Sequence, residues 1–148
     1  IMECLAPLGG VYQAGTFSGT PVVMKAGLAS LKALSPDFYK KLNQKCEQFS
    51  TGIMVWFEKN NIEAHISHYK SMMSIRFRKE AVLNYADAQA AAGGERYAQL
   101  FQYLLKNNIY WPPADLESFF VSGMHTKKDL NDLLETLKIF FGKKEYYA

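Results

Sequence analysis

Cysteine is scarce in this chain: its 148 residues hold two, Cys4 and Cys46. They form neither a C-x-x-C pair nor a disulfide framework, so the chain reads as a protein of a reduced, cytoplasmic compartment. A large charge excess is also missing. The net charge of +3 is too small to imply a nucleic acid or another polyanion as partner. No apolar run approaches the roughly 20 residues of a membrane span; Ile53 to Phe57 is among the longest. Ile1 to Gly10 has neither the basic start nor the apolar centre of a secretory leader. What the chain does have is apolar and aromatic side chain, 49% and 14% of its residues. That excludes disorder and provides a core without staples. The length fits one ordinary domain, or one domain with an appendage. The opening Ile1 to Leu8 shows no helix cap and no strand alternation, and reads as the middle of something longer.

Along the chain, residues 9 to 21 are rich in glycine, serine, threonine and proline and read as a loop. Thr20 and Pro21 then open a helix as N-cap and first residue, running to Leu34. Ser35 and Pro36 restart a second helix. Its apolar stripe is Phe38, Leu42, Cys46, Phe49, Ile53 and Phe57, in steps of three and four, and Asn60-Asn61 stop it. Ile62 to Tyr69 alternates as a strand does. With Lys70-Ser71 as the turn and Met72 to Phe77 as the second strand, it predicts a hairpin. Residues 78 to 94 are irregular or partly helical. A helix carrying Tyr97, Leu100, Phe101, Leu104 and Leu105 follows, ended by Asn107-Asn108. Ile109 to Trp111 and Ser118 to Ser122 read as short strands. Thr126 and Asp129 form a capping-box pair that opens a last helix, Leu130 to Phe141, with Gly142 as its cap. Lys143 to Tyr147 reads as a frayed tail. There is no internal repeat. The order predicts an α+β fold, a small mostly antiparallel sheet covered by helices on one face.

The stretch Tyr12-Gln13-Ala14-Gly15-Thr16-Phe17-Ser18-Gly19-Thr20-Pro21 carries the most chemistry. Gly15 and Gly19 permit a ligand to approach the backbone. Thr16, Ser18 and Thr20 add hydroxyls. A helix starts immediately afterwards, and its free N–H groups favour an anion. A phosphate site is chemically reasonable here, although most loops of this composition are plain connectors.

This stretch closely resembles the Q-A-G-T-x-S-G-N-P loop of class III aminotransferases, and of the glutamate-1-semialdehyde aminomutases among them. Asn84-Tyr85-Ala86-Asp87-Ala88 resembles the N-Y-x-D-A segment of that family. Tyr110 to Ser122, with His125, Thr126 and Asp129, resembles its Y-x-x-P-S-x-F-E-A-x-F-x-S-x-x-H-T-x-x-D tail. The three segments stand in the family's order and span nearly the whole chain. Thr20 replaces the family's usual Asn, and Asp115-Leu116 varies the usual Q-F before the glutamate.

The resemblance implies a fold type I pyridoxal-phosphate (PLP) enzyme. Residues 1–34 would be the end of the large domain, the cofactor-phosphate loop and a connecting helix; residues 35–148 would be the C-terminal small domain. Gly15 and Thr16 would reach the PLP phosphate of the other subunit in a homodimer. Glu117 would lie near the substrate entrance. The full enzyme would turn glutamate-1-semialdehyde into 5-aminolevulinate for tetrapyrrole synthesis. The family's cofactor lysine lies upstream of the loop, so this chain begins after it. Lys25, Lys32, Lys40, Lys41, Lys127 and Lys128 lack its context, no catalytic residue is assigned in this chain, and the chain alone is expected to be inactive.

Other patterns are weaker. His65 and His68, three apart on a strand, face opposite sides and cannot chelate one metal jointly, so no metal site is expected. His125, just before a helix cap, reads as a structural turn residue. Arg76-Phe77-Arg78-Lys79 looks like a basic strand with an aromatic, but the rest of an RNA-binding sheet motif is missing. Two other functions stay open: a sibling aminotransferase, or a free-standing binding or structural domain descended from such an enzyme.

Overall fold

The computed structural model describes residues 1–143; the expected frayed tail from residue 144 on lies outside them. The chain divides into two units, Ile1–Phe38 and the residues from Tyr39 onward. In the first, a short 3-10 turn at Met2–Cys4 leads to a single bridge between Leu5 and Val11. Gly9 is needed there, because a Cβ would fall 2.2 Å from the Cys4 carbonyl oxygen. Helix α1 spans Pro21–Ala33, with proline in its first turn as expected. Thr20 occupies the N-cap but does not cap: its hydroxyl donates to the Phe17 carbonyl at 3.2 Å. The hydroxyl thus closes the loop rather than the helix. No residue of α1 is buried.

Helix α2 spans Pro36–Lys59, and its stripe of Leu42, Cys46, Phe49, Ile53 and Phe57 is buried. Burying each such Leu, Ile or Phe contributes about 1.5–3 kcal/mol over leaving it in water. The helix ends in a Schellman motif. The Ile62 N–H returns to the Phe57 carbonyl at 2.9 Å and the Asn61 N–H to Glu58 at 3.2 Å, with Asn61 at φ 53°. The hairpin follows: β1, His65–Tyr69, pairs antiparallel with β2, Met72–Arg76, in the register Tyr69 to Met72 and His65 to Arg76. Two residues, Lys70 and Ser71, make the turn, and Lys70 takes φ 57°. Helices α3, Tyr85–Ala90, and α4, Glu95–Lys106, come next. Asn84 caps α3 by accepting the Asp87 N–H at 2.9 Å. Strand β3, Phe119–Phe120, adds to β2 and gives the order β1-β2-β3, all antiparallel. Helix α5, Lys127–Gly142, opens with the expected box: Asp129 N–H to Thr126 hydroxyl, and Thr126 N–H to Asp129 carboxylate.

Alternation sorts the sheet. Ile66, Met73, Ile75 and Phe119 are buried on one face, whereas Tyr69, Met72 and Phe120 are exposed on the other. The Ile66 N–H reaches the Met54 sulfur of α2 at 3.3 Å. Phe141 of α5 meets Phe57 of α2 at 5.0 Å and Phe77, just past β2, at 5.7 Å; Phe140 meets Tyr103 of α4 at 5.5 Å. The α+β architecture is therefore the expected one.

Three local expectations are corrected. Ile109 to Trp111 is not a strand. Asn108 at φ 62° turns the chain just before it, and Pro112-Pro113 just after it offer no N–H to a ladder. Trp111 is buried instead against Phe119, with ring centroids 4.2 Å apart. The strand expected over Ser118 to Ser122 shrinks to two residues, although the Val121 N–H still reaches Ser71 at 3.0 Å. Gly142 is the last residue of α5 rather than a left-handed cap; the C-cap is Lys143 at φ −99°.

Candidate functional site

In the first unit the loop around Gly15 is a tight double turn. The Ser18 N–H bonds the Gly15 carbonyl at 3.0 Å and the Thr20 N–H bonds Phe17 at 3.3 Å. Gly19 sits at φ 76°, a region that costs most residues strain. A Cβ on Gly15 would lie 2.6 Å from the Ser18 hydroxyl. These bonds use the alternate N–H groups. Those of Gly15 and Thr16 find no acceptor among the described residues, and both residues are exposed. Thr16 adds a hydroxyl, and the positive end of α1 lies just downstream. Free backbone donors, one hydroxyl and a helix N-terminus are the donor set a phosphate needs. The residues present therefore fit the phosphate group of PLP.

In the second unit Glu117 is exposed, and its N–H closes a turn onto the Ala114 carbonyl at 3.1 Å. Beneath it lies a polar cluster that sequence patterns do not reveal. Arg76 ends β2 with its side chain 5% exposed, and its Nη1 donates to the Asp115 carbonyl and lies 3.5 Å from the Asp115 carboxylate. The other carboxylate oxygen of Asp115 accepts the Gly93 N–H at 2.5 Å. Gly93 must be glycine, since a Cβ would overlap the Phe77 ring at 2.3 Å. From α4, the Tyr97 hydroxyl donates to the Pro112 carbonyl at 2.7 Å. Burial, with the negative charge of Asp115 beside it, pushes the Tyr97 phenol up to about 12. The departure of Asp115 from the family's usual residue is the one sequence signal for this cluster.

Elsewhere His125 behaves as a turn residue. Its Nδ1 accepts the Ser122 N–H at 2.9 Å, while Lys45 of α2 donates to the carbonyls of Ser122 and His125. The wall of an open cleft of about 660 Å³ includes Tyr110, Trp111, Phe120, His125 and Asp129, all from the family-like tail. His65 and His68 point to opposite faces of β1, as the register requires. Burial and the positive charge of Arg78 push His65 down. The basic run is consumed locally: Arg76 on Asp115, Arg78 beside Glu80 and Asp87. Burial raises the Cys46 thiol, which makes it an inert core group. Among the described residues there is no group of three or more His, Cys, Asp or Glu suited to a metal, and no helix long and apolar enough to cross a membrane.

Comparisons with known proteins converge. No protein-family model matches the chain. It is 42% identical over 142 residues to glutamate-1-semialdehyde 2,1-aminomutase 1 of Lachnoclostridium phytofermentans, covering 95% of this chain and 33% of that protein. It is 40% identical over 143 residues to the aminomutase of Clostridium kluyveri, covering 95% and 34%. The chain thus spans about a third of the length of the curated relatives it matches. Among solved structures, a β-phenylalanine aminotransferase from Variovorax paradoxus superimposes with a TM-score of 0.78 at 23% identity, over 95% of this chain and 33% of that one. A glutamate-1-semialdehyde aminomutase from Pseudomonas aeruginosa, solved with PMP, gives 0.76 at 18% identity, over 95% and 31%. At these identities the structural likeness carries the fold of PLP aminotransferases.

Proposed function

We propose, from the premise that this chain is a relative of the glutamate-1-semialdehyde 2,1-aminomutases over nearly its whole length, that it is the C-terminal part of such an enzyme. The observation that carries this reading is 42% identity sustained across 95% of the chain. The whole enzyme would convert glutamate-1-semialdehyde to 5-aminolevulinate in the cytoplasm, as a homodimer. Residues 1–34 would close the large domain and residues 35–148 form the small one.

PLP, when bound, supplies the electron sink for moving an amino group between neighbouring carbons. This chain's share is placement. The free N–H groups of Gly15 and Thr16 would bind the phosphate of the cofactor seated in the partner subunit. Glu117, exposed on a turn, would face the substrate entrance and orient the incoming molecule. None of Lys25, Lys32, Lys40, Lys41, Lys127 and Lys128 would hold the cofactor, since all six stand exposed on helices. In the full-length protein, Glu117→Ala should lower turnover of the semialdehyde several-fold and leave the melting temperature within about 1 °C, because a surface glutamate contributes little to stability. Wild-type turnover in that variant would remove Glu117 from the site.

The match to the β-phenylalanine aminotransferase fold favours one other reading, a sibling enzyme that passes the amino group to a second molecule. Assaying the full-length protein with and without an α-keto acid acceptor separates the two. An aminomutase needs no acceptor; an aminotransferase without one stops after a single half-reaction, with the donor's amino group left on the enzyme.

A further inference from the structure

The segment from Pro112 to Glu117 contributes no strand or helix to the fold, yet it is tied down at two points three residues apart. The Tyr97 hydroxyl holds the Pro112 carbonyl at 2.7 Å. Asp115 is held from two different elements, by Arg76 at the end of β2 and by the Gly93 N–H at the entry to α4. A surface loop needs no such anchoring to connect Trp111 to β3. The charges are arranged with equal economy. Arg76 is 4% exposed, so its cation must be compensated inside the protein, and Asp115 does so. Glu117, two residues on, is the carboxylate left over, and it is exposed. The turn from Ala114 to Glu117 is closed by its own hydrogen bond. The ties therefore fix where the outer carboxylate stands, and the half-buried aspartate keeps Arg76 from drawing that carboxylate inward.

We infer that Asp115, clamped between Arg76 and Gly93 and assisted by Tyr97, is a positioning residue that sets the place of Glu117. The inference rests on the reading of Glu117 given above. Asp115→Asn keeps the size and one acceptor for the Gly93 N–H but removes the charge opposite Arg76. That frees Glu117 to compensate the arginine and swings it away from the entrance. Displacements on the order of 1 Å cost reactions up to about 100-fold, but the loss here is bounded by that of removing Glu117 outright, so Asp115→Asn should lower kcat by no more than Glu117→Ala does, about two- to three-fold.

The test is a double-mutant cycle in the full-length protein, reading kcat for the semialdehyde in Asp115→Asn, Glu117→Ala and the pair. If Asp115 acts through Glu117, each single change lowers kcat and the pair is no slower than Glu117→Ala alone. Tyr97→Phe, which deletes one oxygen and keeps the ring, should show the same dependence and serves if Asp115→Asn fails to fold. A loss from Asp115→Asn that recurs in full on the Glu117→Ala background overturns the inference, because it marks a general structural role. Wild-type kcat in Asp115→Asn overturns it as well. Wild-type kcat in Glu117→Ala refutes the reading of Glu117 itself, and is told apart because it needs no second substitution.

Discussion

Asn61 and Asn108 hold the same place in two copies of one helix ending. Each follows an asparagine C-cap, sits at positive φ (53° and 62°) and precedes an isoleucine. The isoleucine N–H reaches back to Phe57 in one copy and Leu104 in the other, both at 2.9 Å. The C-cap side chains repeat too, Asn60 donating to Trp56 at 2.9 Å and Asn107 to Tyr103 at 2.8 Å. Asparagine tolerates the left-handed region better than most residues, and glycine tolerates it best. Asn108→Gly should therefore stabilise the chain by about 0.5 kcal/mol, read as a higher denaturant midpoint. Asn61→Gly should gain less, because the Asn61 side chain also accepts from Lys79 at 2.7 Å. Equal gains would show that this contact contributes nothing.

Removing half of the Arg76–Asp115 pair should be far more damaging. Arg76→Met keeps the bulk of the side chain and leaves a carboxylate, 17% exposed, without its cation. Breaking a buried pair in this way costs about 3–5 kcal/mol, whereas replacing both partners by apolar groups is often nearly neutral. The expected result is a steep loss in Arg76→Met and substantial recovery in Arg76→Met with Asp115→Leu. Urea unfolding of the two variants provides the check.

Tyr97 makes stability fall at alkaline pH. Its folded-state pKa of about 12 lies above its ordinary value of 10, so the folded chain retains the phenolic proton longer than the unfolded chain does. The stabilisation is complete below pH 10 and lost as pH rises through 12. The size is about 2–3 kcal/mol, two pKa units at 1.36 kcal/mol each. Tyr97→Phe should flatten that decline while losing about 1 kcal/mol at neutral pH, where the Pro112 carbonyl loses its donor. Unfolding free energies measured from pH 8 to 12 would reveal both effects.

The chain by itself should not form a defined covalent adduct with PLP. An ordinary lysine in water, with a reference pKa near ~10.4, is protonated at neutral pH and a poor nucleophile. Cofactor lysines are desolvated or placed beside positive charge. Lys25, Lys32, Lys40, Lys41, Lys127 and Lys128 instead meet water on exposed helix positions. Borohydride reduction of a PLP mixture, followed by peptide mapping, should find scattered, substoichiometric labelling. One lysine labelled at full occupancy would sink the expectation.

Periodic features are legible from residues alone. The α2 stripe from Leu42 to Phe57 repeats at helical steps, the Thr126–Asp129 box is local, and two residues between alternating runs leave the hairpin little choice. Features decided by partners far along the chain are not. Ile109 to Trp111 has a strand's composition, but the backbone turns before it and lacks donors after it, and Trp111 gains more by packing on Phe119. Gly15, Thr16 and Glu117 stand out only through family resemblance, because a glycine loop or a lone glutamate is ambiguous by itself. The Arg76–Asp115 pair spans 39 positions. An arginine inside Arg-Phe-Arg-Lys reads as one more solvated cation until the fold puts an acid against it.

Helix α1 has thirteen residues and none buried, with Val22, Val23, Met24, Leu28 and Leu31 all turned to solvent. A helix of that length sits near the threshold of the helix–coil equilibrium, where the cost of nucleation is barely recovered. Gly27 in its middle lowers the odds further, by about 1 kcal/mol against alanine. Taken alone, the segment would open and close on its own, and its amides would exchange with deuterated water long before those of α2. A covering surface laid over Val23, Met24 and Leu28 would turn that fast exchange slow, so the exchange rate of α1 is a direct gauge of whether the chain has found its complement.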